Sequence, residues 1–149
     1  MKRTKLRVKG ISTPAQLKND IQALVREIVI IRDGGCIFRN ESWHNCNGFA
    51  KDGHLILQAD HLVSRSNAGT FSDTRLIVCV CKGAHGWKSV GNNLRKKEYD
   101  ERVRAILSPE RVELWDRAEA ENHAHKTHKM DWAMEKLALE RELAKLKEI

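Results

Sequence analysis

Apolar residues fall into helical repeats at both ends of the chain and into short apolar runs in the middle. Leu17, Ile21, Leu24, Val25, Ile28, Val29 and Ile31 follow the three-and-four spacing of one helix face as far as Arg32. Thr13-Pro14 opens that helix, with a hydroxyl to cap the first amides and a proline where its missing N–H costs nothing. Asp33-Gly34-Gly35 ends it and turns the chain. From Cys36 to Gly53 the pattern is polar and irregular. Leu55-Ile56-Leu57-Gln58-Ala59-Asp60-His61 reads as a short strand, residues 64–73 have loop composition, and Arg75 to Cys81 reads as a second, β-branched strand. Gly83 to about Val90 can form a short helix, which completes a ββα unit. Three helical patterns follow. Lys96–Leu107 carries Tyr99, Val103, Ile106 and Leu107; Ser108-Pro109-Glu110 starts a helix through Val112, Leu114 and Trp115; a last one runs from about Lys129, with Trp132, Leu139, Leu143 and Leu146 on one side. That last helix is rich in Glu, Lys and Arg, which suits a solvated brace with one packed face; the run is short for a dimerising coiled coil.

Length and composition narrow the class. A chain of 149 residues suits one domain with appendages: a basic arm at 1–12, a core over 13–107 and a helical extension over 108–149. Hydrophobic residues are 41% of the chain and aromatics 5%, so the expected core is modest and a metal would supplement it. Lys and Arg number 27 against 20 Asp and Glu, a formal charge of +7, with a pI near 9.4. That excess favours a polyanionic partner. Nucleic acid is preferred to a membrane surface, because no basic amphipathic stretch has a bulky apolar face. No apolar leader follows Met1-Lys2-Arg3, and no stretch approaches the roughly 18 apolar residues of a membrane span. The expected compartment is the cytoplasm, where four cysteines more often mean metal ligation than disulfides.

Cys36 and Cys46 precede the hairpin, and Cys79 and Cys81 lie on its second strand. Two pairs separated by a folded excursion suit a structural zinc, which is four-coordinate and ties a loop to a sheet. Two apart on a strand, Cys79 and Cys81 share a face and both can ligate; His44 is a candidate substitute for either. His123, His125 and His128 fall between helical patterns amid polar residues and read as a solvated linker. Trp43, Trp115 and Trp132 read as packing residues.

The second constellation is Asp60-His61 with His85. Phosphodiester hydrolysis needs an activated water, a cation on the phosphate and relief for the leaving oxyanion. Neutral histidine can take a proton from water near pH 7. Adjacent on a strand, Asp60 and His61 project to opposite faces, so one can bind a cation while the other reaches the attacking water. His85 can close around the same cation, and Lys88 nearby could hold a phosphate. Arg65, Lys82, Arg95, Lys96 and Lys97 flank this site in sequence and could contact phosphates.

Gln58-Ala59-Asp60-His61-Leu62-Val63-Ser64-Arg65-Ser66-Asn67, followed by Asp73-Thr74-Arg75-Leu76-Ile77-Val78-Cys79-Val80-Cys81-Lys82-Gly83-Ala84-His85-Gly86-Trp87-Lys88, resembles the HNH (His-Me finger) endonucleases. More narrowly it is similar to the phage NinG/Rap-type recombination nucleases, whose corresponding run reads roughly H-F-x-x-R-S-N. The likeness covers about residues 30–115. It implies an α+β fold with a small zinc-stabilised ββα-metal core, an N-terminal helix and a C-terminal helical extension. It also implies Asp60 and His85 as ligands of a single Mg²⁺ or Mn²⁺, His61 as general base, and a zinc knuckle beside them. The substrate class it implies is branched or single-strand-containing DNA, processed for a phage or prophage in the host cytoplasm.

Two positions depart from that pattern. The family's middle asparagine falls on Leu76 or Thr74, depending on which cysteine sets the count, with Asp73 the candidate to take over a ligand role. The knuckle's last ligand would fall on Ala84. The rival expectation is therefore a DNA-binding recombination accessory that keeps the zinc fold without turnover. A zinc-stabilised protein–protein adaptor would instead show no DNA affinity. Cleavage of a junction would favour a homodimer, since two strands must be cut together.

Overall fold

Thr13 and Gln16 form a reciprocal capping box: the Thr13 hydroxyl accepts from the Gln16 amide at 3.2 Å, and the Gln16 side chain accepts from the Thr13 amide at 2.9 Å. From this cap helix α1 runs over Pro14–Asp33 and buries Ile21, Val25, Ile28 and Val29. It stops at Gly34, whose φ of +73° is left-handed and whose amide bonds to Ile30 O. The computed structural model describes residues 12–44, 46, 57–84, 93–121 and 129–148.

Strand β1 (Leu57–His61) pairs antiparallel with β2 (Ile77–Cys81), in the register Leu57 to Cys81, Ala59 to Cys79, and His61 to Ile77. All five residues of β2 are buried. This strand starts two residues later than expected, because Thr74–Leu76 form a 3₁₀ turn, with the Asp73 carboxylate accepting from the Arg75 amide at 3.1 Å. Residues 82–84 are already helical after β2. Helices α2 (Asn93–Ile106), α3 (Pro109–Ala120) and α4 (Trp132–Lys147) follow. The protein is thus α+β, with a two-stranded antiparallel sheet among helices. No described helix is long and apolar enough to cross a membrane. The basic arm at 1–11 and the cluster His123, His125 and His128 lie outside the described residues.

A bare two-stranded sheet is marginal in water, so its outer edge and faces need partners. The backbone of Ile37 donates to Cys79 O at 3.0 Å, and the Asp33 carboxylate accepts from the Cys79 amide at 2.9 Å. Arg32 from α1 and Arg111 from α3 both donate to Ile77 O, at 2.6 and 3.1 Å. Asp33 itself is buried, and Arg32 neutralises it through two bonds of 2.8 and 3.1 Å. Trp115 is buried at 1% exposure, as a packing residue should be.

Helix α4 packs along α1 and buries Leu139 and Leu143. Lys136 pairs with Asp20 and Lys147 with Glu27, at 3.1 and 2.9 Å. Exposed pairs of this kind contribute roughly 0.2–1 kcal/mol each, so the leucines hold the seam and the charges fix its alignment. Leu139→Ala is expected to destabilise the fold by about 2–5 kcal/mol in urea unfolding. A change below about 0.5 kcal/mol would mean that α4 is a detachable arm.

Candidate functional site

Three consecutive turns build a candidate metal centre. Arg39 N bonds to Cys36 O, Glu41 N to Phe38 O and His44 N to Glu41 O, at 3.1, 2.9 and 3.1 Å, and these curl residues 36–44 back on themselves. Ile37 meanwhile docks on β2, which sets Cys36 near Cys81. The result is a cluster of Cys36, His44, Cys46 and Cys81 whose ligand atoms all lie within 4.8 Å of one another. His44 Nε2 is 3.3 Å from Cys81 Sγ and 3.8 Å from Cys36 Sγ. A tetrahedral zinc with ordinary bond lengths would set sulfur and nitrogen about 3.5 Å apart.

Without a cation the Cys36 thiol stays protonated. Burial pushes the Cys36 thiol up to about 12, and the nearby Cys81 and Cys46 add to the rise, against amide hydrogen bonds from Cys81 and Phe38. Three crowded thiols ionise together only around a positive ion. The amide of Ala84 donates to Cys81 Sγ at 3.4 Å, a contact that favours thiolate. Burial lowers the His44 pKa, which keeps the imidazole in its neutral, ligating form. The Cys3His cluster can therefore hold a metal ion such as zinc. With four protein ligands it has no open position for substrate.

Cys79 is not part of this cluster, contrary to the expectation that both strand cysteines could ligate, and His44 takes the fourth place. The turns that carry Cys36 and His44 close on the Cys81 end of β2, where His44 fills the place beside the Cys81 sulfur. Cys79 is instead buried beside Asp33, and burial, with Asp33 adding, raises its thiol to about 12.

The other end of the sheet carries Asp60 and His61, three and four residues along β1 from Leu57 and so roughly 10–13 Å along the strand from the Leu57–Cys81 pair. Asp60 is 4% exposed and accepts a 2.5 Å hydrogen bond from the hydroxyl of Tyr99, itself wholly buried on α2. Burial and the Asp60 charge push the Tyr99 pKa far up, so this hydroxyl keeps its proton and stays a donor. His61 Nε2 lies 3.0 Å from the carbonyl oxygen of Phe71, and its ring stacks on Phe71 with centroids 5.8 Å apart. A carbonyl can only accept, so in the neutral ring Nε2 bears the hydrogen and Nδ1 the lone pair.

Asp60 and His61 open on a cleft of about 450 Å³, lined also by Gln22, Val25, Arg26, Gln58, Ala59 and Arg65. Phe71 is held from α4: Trp132 meets it edge-on at 5.6 Å, Glu135 accepts from the Ser72 hydroxyl at 2.6 Å and Glu142 from the Thr74 hydroxyl at 2.8 Å. The acceptor that orients His61 thus depends on the C-terminal helix.

Of the other expected site residues, Arg65 is exposed at the cleft, and Lys82 is exposed directly after Cys81. Arg95 is exposed on α2, and Lys96 beside it is paired with Asp100 at 2.9 Å. Asp73 is not gathered with Asp60: its carboxylate caps the 3₁₀ turn and forms a two-bond pair with Arg75, at 3.0 and 2.8 Å. His85 and Lys88 lie outside the described residues. Sequence reasoning missed Arg26 and Tyr99. Tyr99 had one usable signal, since a core tyrosine must find a partner for its hydroxyl.

Comparisons with known protein families, curated proteins and solved structures find no match for this chain.

Metal analysis of the purified protein is expected to give one equivalent of zinc, retained in Cys79→Ala and lost in His44→Ala and Cys81→Ala. Uptake by His44→Ala with loss in Cys79→Ala would overturn the ligand set. Structural zinc supplies about 10–16 kcal/mol of binding free energy, comparable to the whole stability of a small domain at roughly 5–15 kcal/mol. A chelator should therefore abolish cooperative thermal unfolding.

Proposed function

We propose that this protein is a metal-dependent DNA endonuclease of the HNH type, serving phage or prophage recombination or DNA processing. The observation that carries the reading is the state of His61. Its Nε2 is engaged by the Phe71 carbonyl, so Nδ1 holds the lone pair, on a ring that borders a cleft with Arg26 and Arg65. That is the form a general base needs, and guanidinium groups suit a phosphodiester.

In this reading His61 takes the proton from a water molecule as that water attacks the phosphorus. Asp60, with His85, would hold Mg²⁺ or Mn²⁺. A carboxylate suits such hard ions, whereas the thiol and imidazole cluster suits zinc. Bound there, the ion supplies charge neutralisation on the phosphate and on the leaving 3′ oxygen. Tyr99 holds the Asp60 carboxylate in place, and Arg65 contacts the phosphate. A zinc held by Cys36, His44, Cys46 and Cys81 would be structural, because four protein side chains would hold it at the opposite end of the strands. Branched or recombination-intermediate DNA is the substrate class that follows from the resemblance.

One observation favours the accessory reading, a DNA-binding protein without turnover. The positions that could stand for the family asparagine are spent on the fold: Leu76 is buried and the Thr74 hydroxyl is given to Glu142.

A nicking assay on plasmid and branched DNA separates the two. With Mg²⁺ or Mn²⁺ the wild type is expected to cut, and His61→Ala to cut roughly 10²–10⁴-fold more slowly, with unchanged melting temperature. Absence of cleavage with both ions, or equal cleavage by His61→Ala, removes the enzyme.

A further inference from the structure

Helix α1 enters the cleft with a face that no expectation from the sequence assigned. Lys18, Gln22 and Arg26 are four residues apart, so they form one stripe rising roughly 6 Å per step and about 12 Å in all. Gln22 and Arg26 line the cleft that contains His61. Lys18 stands over the Trp132 ring at 5.0 Å, and Trp132 packs against Phe71, on which His61 stacks. The stripe therefore runs beside the imidazole.

Its charge is uncompensated among the described residues. Helix α1 contains three acids, and each has a cationic partner: Asp20 has Lys136, Glu27 has Lys147 and Asp33 has Arg32. Lys18 and Arg26 have no acidic partner among the described residues, and both are exposed. Arg26 gives Nε to Leu57 O at 3.1 Å. That bond fixes the guanidinium at the cleft wall, with its terminal nitrogens still able to donate. A basic protein that pairs every acid of one helix and leaves that helix's cleft-side cations without acids is prepared for an anion.

We infer that the Lys18–Gln22–Arg26 face of α1 is a binding wall for the DNA backbone, on which consecutive phosphates of the strand next to His61 are held. This rests on the nucleic-acid reading of the cleft. At 3.4 Å of axis per nucleotide in one strand, the stripe spans about three to four nucleotides. Lys18 and Arg26 contact phosphates, and Gln22 lies between them with a side-chain amide that suits phosphate or sugar oxygens. The contacts are sequence-independent, so the wall positions the strand and does not read it.

The test is binding of the full-length, zinc-loaded protein to fluorescein-labelled duplex and branched DNA, in buffer without added Mg²⁺ or Mn²⁺, over a salt series. Lys18→Gln and Arg26→Gln are each expected to flatten the log–log salt dependence by about 0.7–0.9, the loss of one phosphate contact. Gln22→Glu, which places an acid between the two cations, should weaken binding roughly fivefold at low salt, as one like charge at contact distance does. Salt slopes and affinities equal to wild type in all three variants, with intact melting curves, would falsify the wall. Cleavage by the wild type alongside such unchanged binding leaves the nuclease standing and the wall refuted. Reduced slopes in a protein that never cuts leave the wall standing and the nuclease refuted. Tighter binding to RNA duplex than to DNA overturns the assignment of the strand.

Discussion

Register between two five-residue strands is the constraint on which everything else in this molecule depends. A slip of one residue would exchange the two faces of β2. Cys81 would then turn away from Cys36, His44 and Cys46, and β1 would lose the pairing that sets His61 opposite Ile77. So small a sheet cannot hold its own register by backbone bonds. It is fixed from outside, by Asp33 and Ile37 on Cys79 and by Arg32 and Arg111 on Ile77. These partners also cover an edge that would otherwise present unsatisfied amides and carbonyls. A metal on Cys81 would add a lock of similar reach, since it would join the end of β2 to a loop some forty residues earlier in the chain.

The C-terminal helix does two jobs with one set of charges. Its lysines cancel Asp20 and Glu27 of α1, and its glutamates reach the loop between the strands through Ser72 and Thr74. The lysine pairs are exposed and weak individually. The hydroxyl–carboxylate bonds at 2.6 and 2.8 Å are partly buried and tie down a loop with little regular structure of its own. Phe71 sits in that loop, and its carbonyl sets the tautomer of His61. A helix that reads as a solvated brace is therefore mechanically part of the cleft.

Local signals carried the elements that sequence could place. Thr13-Pro14 and Gly34 mark the ends of α1 because capping is decided within four residues. The run Ile77–Cys81 reads as a strand because its residues are β-branched or small and apolar. What sequence left open was decided over distance. The choice of His44 over Cys79 depends on three turns that bring residue 44 back to 36 and up to Cys81. Asp33 reads as a helix terminator, yet its carboxylate is committed 46 residues away to Cys79. Asp73 reads as a candidate metal ligand, yet its carboxylate is taken by the amide and guanidinium of Arg75. Tyr99 reads as one more apolar position in a helix pattern, while its hydroxyl meets Asp60 across 39 residues.

The metal centre and the Asp60–His61 end of the sheet are too far apart to share an ion, yet they are not mechanically independent. His44 packs on Phe38 with ring centroids 5.9 Å apart, Phe38 packs on Tyr99 at 5.7 Å, and Tyr99 donates to Asp60 at 2.5 Å. Phe38 and Tyr99 are both fully buried, and close-packed interiors transmit displacement instead of absorbing it. The turns of residues 36–44 give Phe38 its position, and a metal ion on Cys36, His44, Cys46 and Cys81 would hold those turns closed against β2. Losing that cation would withdraw one wall from Tyr99 without touching any group in the cleft. The expected damage at Asp60 is thus a loosened hydroxyl donor, transmitted by packing.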